Sequence, residues 1–200
     1  MVGVDLLKSR PSRRLDSAVN ASFSIRPARD SDVPVLEELI PISVRGLQAA
    51  TYSPAQMEAA LGPVFGVDRQ LIRDGTYFVV EDEGSVVGCG GWSRRKAVFG
   101  GDRERAGEDT ALDPARDAAR IRAFFVHPGL ARRGIGRLIL KRCEKAMRAA
   151  GFREAVLVAT LAGEPLYAAH GYQVVERYEA PLPGGLTLPV VRMGKSLVLA

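Results

Sequence analysis

Residues 126–140 read VHPGLARRGIGRLIL. A strand-like run, ARIRAFFV at 119–126, ends on Val126. Two arginines and two glycines follow, and a segment of helical periodicity begins at Ile135. Ile135, Leu138, Ile139, Cys143 and Ala146 share one face through residue 150, and Gly151 is placed to stop the helix. The order is strand, glycine-bearing turn, helix. A helix start exposes amide groups without partners and carries partial positive charge. Gly134 and Gly136 let a ligand approach the backbone, and Arg132, Arg133 and Arg137 add full charges. The turn therefore reads as an anion site suited to phosphate or pyrophosphate. It is not a Walker loop, since no Gly-Lys-Ser/Thr follows, and Ile139 stands where a dinucleotide fingerprint has its third glycine. Taken alone, a loop ahead of a basic solvated helix is the competing reading.

The charge of the whole chain supports a local anion site. The 200 residues carry a formal charge of +5. Between 131 and 148 there are seven basic side chains against Glu144 alone, so the rest of the chain is near neutral. A basic balance raises nucleic acid as a partner. The helix lacks interleaved aromatics, however, and one basic turn suits a small polyanion as well, so no nucleic-acid partner is expected. No apolar run approaches the roughly 20 residues of a membrane span, so no membrane partner is expected. Two cysteines, Cys89 and Cys143, form neither a disulfide framework nor a metal pattern. A reduced, cytoplasmic protein without metal follows from that usage. Residues 1–22 read as a loosely held extension: Asp5 and Lys8 interrupt the only apolar run, which makes a poor signal peptide. Residues 23–200 read as a single domain.

Outward from the turn, FSIRPA at 23–28 alternates as a strand. A helix is expected after Asp30 or Ser31 as its cap, with Pro41 kinking or splitting it. Ser53-Pro54 opens a second helix that Gly62 ends. TYFVVED, a turn at Glu83-Gly84 and SVVGCGGWS read as a hairpin. Gly88, Gly90 and Gly91 in its second strand imply a bulge, or something packed close to the backbone. Residues 94–118 form a long polar insertion with six basic and six acidic side chains, expected to be mobile without ligand. EAVLVAT at 154–160 is a strand buried on both faces, and GEPLYAAHGY contains a short helix. YQVVERYEAPL, a turn at Pro183-Gly184-Gly185 and LTLPVVRMGKSL close the chain. The result is an α/β sheet of mixed direction.

The strand, the Val-x-Pro turn, RRGIGR, the amphipathic helix, the buried strand, LYAAHGY and the final hairpin come in the order of the GCN5-related N-acetyltransferases. The resemblance covers roughly residues 23–197. It implies a mixed, mostly antiparallel sheet flanked by helices, with two central strands that splay apart, and an acetyl-CoA co-substrate. In that family the turn holds the pyrophosphate and the preceding strand lies along the pantetheine arm. Carried over, Arg132, Arg133, Gly134, Ile135, Gly136 and Arg137 form the turn, and Phe124, Phe125 and Val126 are the strand contacts. The family's Gln/Arg position falls on Ala131, and Thr160 stands where the family often has Asn.

The resemblance also implies the chemistry: direct transfer to an amine, with a free N–H near Val126 facing the thioester oxygen. Tyr167 falls on the family's tyrosine and would act as the acid toward the departing thiolate. The alternative for Tyr167 is ring packing in the core. No base is identified. His127 reads as solvated, His170 as serving the last carbonyls of its helix, and Glu81 and Asp82 as turn residues. Cys89 reads as a nucleophile or, more simply, as a small buried apolar group. Trp92, Arg94 and Arg95 suggest an acceptor bearing a carboxylate, against a packed Trp beside a solvated loop. The acceptor is an unidentified small-molecule or peptide amine, and a homodimer is left open. The competing function is a non-catalytic acyl-CoA-binding sensor.

Overall fold

A computed structural model describes residues 23–96 and 110–198. The extension expected over 1–22 and the part of the insertion at 97–109 lie outside the described residues. The chain runs β1 (Ser24–Pro27), α1 (Val33–Gln48), α2 (Pro54–Ala60), α3 (Arg69–Arg73), β2 (Tyr77–Asp82), β3 (Ser85–Ser93), β4 (Ala119–Val126), α4 (Ile135–Ala149), β5 (Glu154–Thr160), α5 (Glu164–Ala168), β6 (Gln173–Pro181) and β7 (Thr187–Ser196). The seven strands form one sheet in the order β1-β2-β3-β4-β5-β7-β6. Every pairing is antiparallel except β4 with β5. That parallel pair is joined through α4, as a crossover requires.

Two cores lie on the two faces of the sheet. One gathers the apolar stripe of α4 (Ile135, Ile139, Leu140, Cys143, Met147) with Phe78, Ile121, Leu157 and Tyr167. The other gathers α1, α2 and α3 (Leu36, Ile40, Val44, Met57, Leu71) with Tyr77, Cys89 and Phe125. The apolar side chains of β4 are shared between them: Ala119 and Ile121 belong to the first core and Phe125 to the second.

Several local expectations differ in detail. Pro41 neither splits nor ends α1, which continues from Val33 to Gln48. The cap expected at Asp30 or Ser31 is not made there. A short 3₁₀ turn over Asp30–Asp32 precedes α1. Asp32 instead forks onto Arg26 at 2.7 and 2.8 Å and accepts the Arg29 amide at 2.7 Å. That charged fork outweighs a single amide cap, and it holds the Asp32 carboxyl below the usual carboxylate range. α2 starts as expected, with a reciprocal Ser53–Gln56 capping box. The five-residue α3 has no counterpart in the sequence reading. The ends of the insertion are ordered, with Leu112 donating to the Arg94 carbonyl at 2.7 Å and Lys96 to that of Thr110 at 3.2 Å.

Candidate active site

The site grows out of one irregularity in β4. Cys89 of β3 pairs with Phe125 and Gly91 with Arg122, so Ala123 and Phe124 together face Gly90. Ala123 takes a left-handed φ of 60° at this bulge. Its carbonyl accepts the Tyr77 hydroxyl at 3.1 Å, from beneath the sheet. The three glycines of β3 have separate reasons to lack side chains. A Cβ on Gly88 would stand 2.6 Å from Ile135, one on Gly90 would stand 2.5 Å from the Phe124 ring, and one on Gly91 would stand 2.6 Å from the Thr76 carbonyl. Both sequence expectations, a bulge and close packing, are met here.

Beyond the bulge the sheet opens. β4 and β5 pair only at Ala119–Ala155, Arg120–Val156 and Ile121–Leu157. Both strands continue past that point without pairing, to Val126 and Thr160. The gap is a cavity of about 610 Å³ lined from both faces of the sheet. On the α4 face its walls include Phe124, Gly134, Gly136, Thr160, Leu166 and Tyr167; on the α1 face they include Ser43, Gln48, Phe65, Arg122, Leu188 and Val190.

One end of this cavity is the turn before α4. Arg132 and Gly134 both have left-handed φ, 64° and 92°. Such alternation turns successive amides toward one side, a concavity that favours anions. The helix's first hydrogen bond runs from the Leu138 amide to the Gly134 carbonyl at 2.9 Å. The amides of Ile135, Gly136 and Arg137 therefore have no partner within the helix. Nothing lies within 4 Å of a Cβ built on Gly134. Arg132 and Arg137 line the cavity. Arg133 is not part of that lining: its guanidinium lies 5.6 Å over the ring of Phe23. The donor set suits a pyrophosphate: amides without helix partners, and two cations, Arg132 and Arg137, with no ion pair among the described residues.

Tyr167 reaches the cavity from α5. Its ring packs at 6.0 Å from Phe124 and 5.9 Å, edge-on, from Tyr172. Among the described residues its hydroxyl has no hydrogen-bond partner, and burial pushes the phenol above its usual range. Thr160 also lines the cavity, but its hydroxyl oxygen accepts the Gly163 amide at 3.1 Å and so caps the turn into α5. Phe124, Phe125 and Val126 all line the cavity.

The Val126 amide is not free. It donates to Ser43 Oγ of α1 at 3.1 Å. The expectation of an unengaged N–H at that position is corrected: a buried donor at an open strand edge finds a partner, and α1 supplies one. A phenol does the same for the other strand. Tyr52 accepts the Leu161 amide at 2.9 Å and donates to the Pro189 carbonyl at 2.6 Å. Neither residue stands out in the sequence: Ser43 sits in an ordinary amphipathic helix and Tyr52 in the turn between α1 and α2. Gln48 lines the same wall; it is 8% exposed, and among the described residues its buried Oε1 has no hydrogen-bond partner. Arg122 is a further charged group at the cavity, ion-paired to Asp68 at 2.9 Å.

Other candidates fall away from the opening. Trp92 is 3% exposed and packs edge-on to Phe152, Arg94 lies over the Trp92 ring, and Arg95 is bonded to Asp74 at 2.7 Å. None of the three lines the cavity. Cys89 is fully buried, hydrogen-bonded by Tyr77 at 3.2 Å, and its thiol is pushed up to about 12, which removes the nucleophile reading. His170 Nδ1 lies 2.7 Å from the Leu166 carbonyl, and His127 Nδ1 accepts the Gly129 amide at 3.2 Å. Glu81 is tied to Arg26 at 2.8 Å.

The model of the Acetyltransferase (GNAT) domain matches residues 73–174, about half of the chain. The chain belongs to the GNAT acetyltransferase family. Its fold is that of solved relatives, each at low identity. A GCN5-related N-acetyltransferase from Rhodopseudomonas palustris is 21% identical, with a TM-score of 0.64 over 86% of this chain and 94% of that one. YncA of Salmonella typhimurium, solved with acetyl-CoA, is 19% identical, with a TM-score of 0.60 over 90% and 96%. The PaiA N-acetyltransferase of Thermoplasma acidophilum, solved with coenzyme A, is 16% identical, with a TM-score of 0.59 over 88% and 99%. No curated protein matches the sequence. The GNAT fold accounts for the order of the sheet and for the opening between β4 and β5. No helix among the described residues is long and apolar enough to cross a membrane.

Proposed function

We propose that this protein is an acetyl-CoA-dependent N-acetyltransferase that passes the acetyl group directly to a primary amine on a small molecule or peptide. The observation that carries the reading is the cavity between β4 and β5. It joins the anion-binding turn on one face to a second wall, built by α1 and β7, on the other. A donor and an acceptor can thus meet from opposite faces without a covalent enzyme intermediate.

Bound acetyl-CoA would supply the activated acetyl group. The amides of residues 135–137, with Arg132 and Arg137, would hold its pyrophosphate, and β4 at Phe124–Val126 would flank its arm. In the transfer the amine nitrogen forms a bond to the acetyl carbon, the C–S bond breaks, and the nitrogen gives up a proton. Tyr167 is the group at the cavity that can give a proton toward the leaving sulfur. Burial keeps its phenol protonated throughout the working pH range. Among the described residues no carboxylate or imidazole lines the cavity, so the amine's proton leaves through solvent. The two buried, free cysteines fit the cytoplasmic location expected from the sequence.

The test is acetyl-CoA turnover against pooled amines, amino acids, polyamines and peptides, followed through release of the CoA thiol. Acetyl-CoA binding without turnover on any pool favours the sensor reading instead.

A further inference from the structure

We propose that Ser43 of α1 is a catalytic hydrogen-bond donor to the acetyl carbonyl oxygen, working as a relay from the Val126 amide. The assignment rests on the acetyltransferase reading above and adds a residue that the strand alone does not supply.

The direction of the Val126 amide follows from its neighbour. His127 donates to the Val87 carbonyl of β3 at 2.9 Å. Amides alternate in direction along a strand, so the Val126 N–H points the other way, into the gap left by β5. Ser43 Oγ meets it there at 3.1 Å. Ser43 is 4% exposed and lines the cavity. Its oxygen accepts, so its own proton remains to be given, and among the described residues that proton has no acceptor. A hydroxyl that accepts one hydrogen bond becomes a stronger donor in the next. Held by a helix on one side and a strand on the other, it is fixed before any ligand arrives, which is what stabilisation of developing charge requires. The relay also moves the donor off the strand edge and toward the α1 wall, where the acceptor approaches.

The test reads the carbonyl itself and needs no knowledge of the acceptor. Infrared difference spectra are recorded for acetyl-CoA carrying ¹³C at the acetyl carbonyl, bound to the wild type, Ser43→Ala and Ser43→Thr. The expected result is a C=O band at lower frequency than in water for the wild type and the Thr variant. In the Ala variant the shift is lost while acetyl-CoA affinity by calorimetry stays within about twofold. Once an acceptor is in hand, kcat of the Ala variant should fall about 10²–10³-fold, the usual loss for one oxyanion donor. A shift that persists or grows in Ser43→Ala overturns the proposal, because the freed Val126 amide is then the donor. An unshifted band in the wild type overturns it as well. Failure of the wild type to bind acetyl-CoA defeats the acetyltransferase reading itself. Ser43→Cys, near serine in size and a weak donor, makes the same measurement should the alanine variant unfold.

Discussion

The ring of Phe124 occupies the place a side chain on Gly90 would need, with Cδ2 2.5 Å from an ideal Cβ. The bulge in β4 thus has a matching absence in β3. Gly90→Ala should force the Phe124 ring toward the cavity or strain both strands, at a cost of about 1–3 kcal/mol. Urea unfolding should show a lower midpoint at unchanged m-value, and acetyl-CoA affinity should fall with it. Unchanged values of both would mean that the ring yields freely and does not shape the cavity.

Gly134 presents the opposite case, an empty side. Gly134→Val places a branched side chain where the ligand's phosphates would sit and forces it into a left-handed φ, a backbone strain of about 1–2 kcal/mol. Calorimetry should record at least a tenfold loss of acetyl-CoA affinity, well beyond the fall in Tm. Replacing Arg137 by Ala should weaken binding mainly at low salt, because that charge is exposed and screened.

Tyr167→Phe keeps the ring between Phe124 and Tyr172 and removes a hydroxyl that has no hydrogen-bond partner among the described residues. Stability and acetyl-CoA affinity should therefore hold. The turnover rate should drop about 10²–10⁴-fold, the range for general acid catalysis. Because burial raises the phenol, its ionisation lies above the usual value near ~10 and should not set a basic limb below that pH. A normal kcat in this variant would assign Tyr167 to packing alone.

Burial also raises Cys89, Cys143, Tyr77 and Tyr172. In the unfolded chain thiols ionise near ~8.5 and phenols near ~10, whereas the native groups keep their protons. The stability these groups contribute is complete below about pH 8.5 and is lost as pH rises beyond it. Tm measured between pH 7 and 11 should fall along the alkaline side. A thiol reagent should titrate neither cysteine in the native protein and both after unfolding.

Tyr52→Phe strips the Leu161 amide of its acceptor and the Pro189 carbonyl of a donor. Loss of about 1–3 kcal/mol is expected for stranding such groups. Hydrogen exchange should show faster turnover of the Leu161 amide ahead of the sheet core.

The sequence was most legible where pattern and chemistry coincide. The turn at 132–137 declares itself through glycines, cations and helical periodicity, and the structure places it at the cavity's end apart from the Arg133 side chain. The glycines of β3 announced a bulge, but its left-handed residue is Ala123, which no composition rule singles out. α3 is too short to show periodicity. Ser43 and Tyr52 act on backbone groups more than 80 residues away, and such pairings exist only once the sheet is folded. Trp92 and Arg95 mislead because a hairpin end looks like a cavity mouth in one dimension, while in space Trp92 packs against Phe152 and Arg95 is bonded to Asp74.

The parallel step from β4 to β5 has an evolutionary consequence. Apart from Ser43, the residues assigned to handling the donor, from Phe124 to Tyr167, lie within one uninterrupted stretch of chain, inside the span that matches the family. The opposing wall comes from Ser43, Gln48 and Phe65 before that span and from Leu188 and Val190 after it. Under the proposed function, substrate choice can therefore drift by rewriting the two flanks around Ser43 while the segment from Phe124 to Tyr167 is inherited intact. Grafting residues 30–72 from a relative with a known acceptor, with Ser43 kept, should transplant preference without rebuilding the engine.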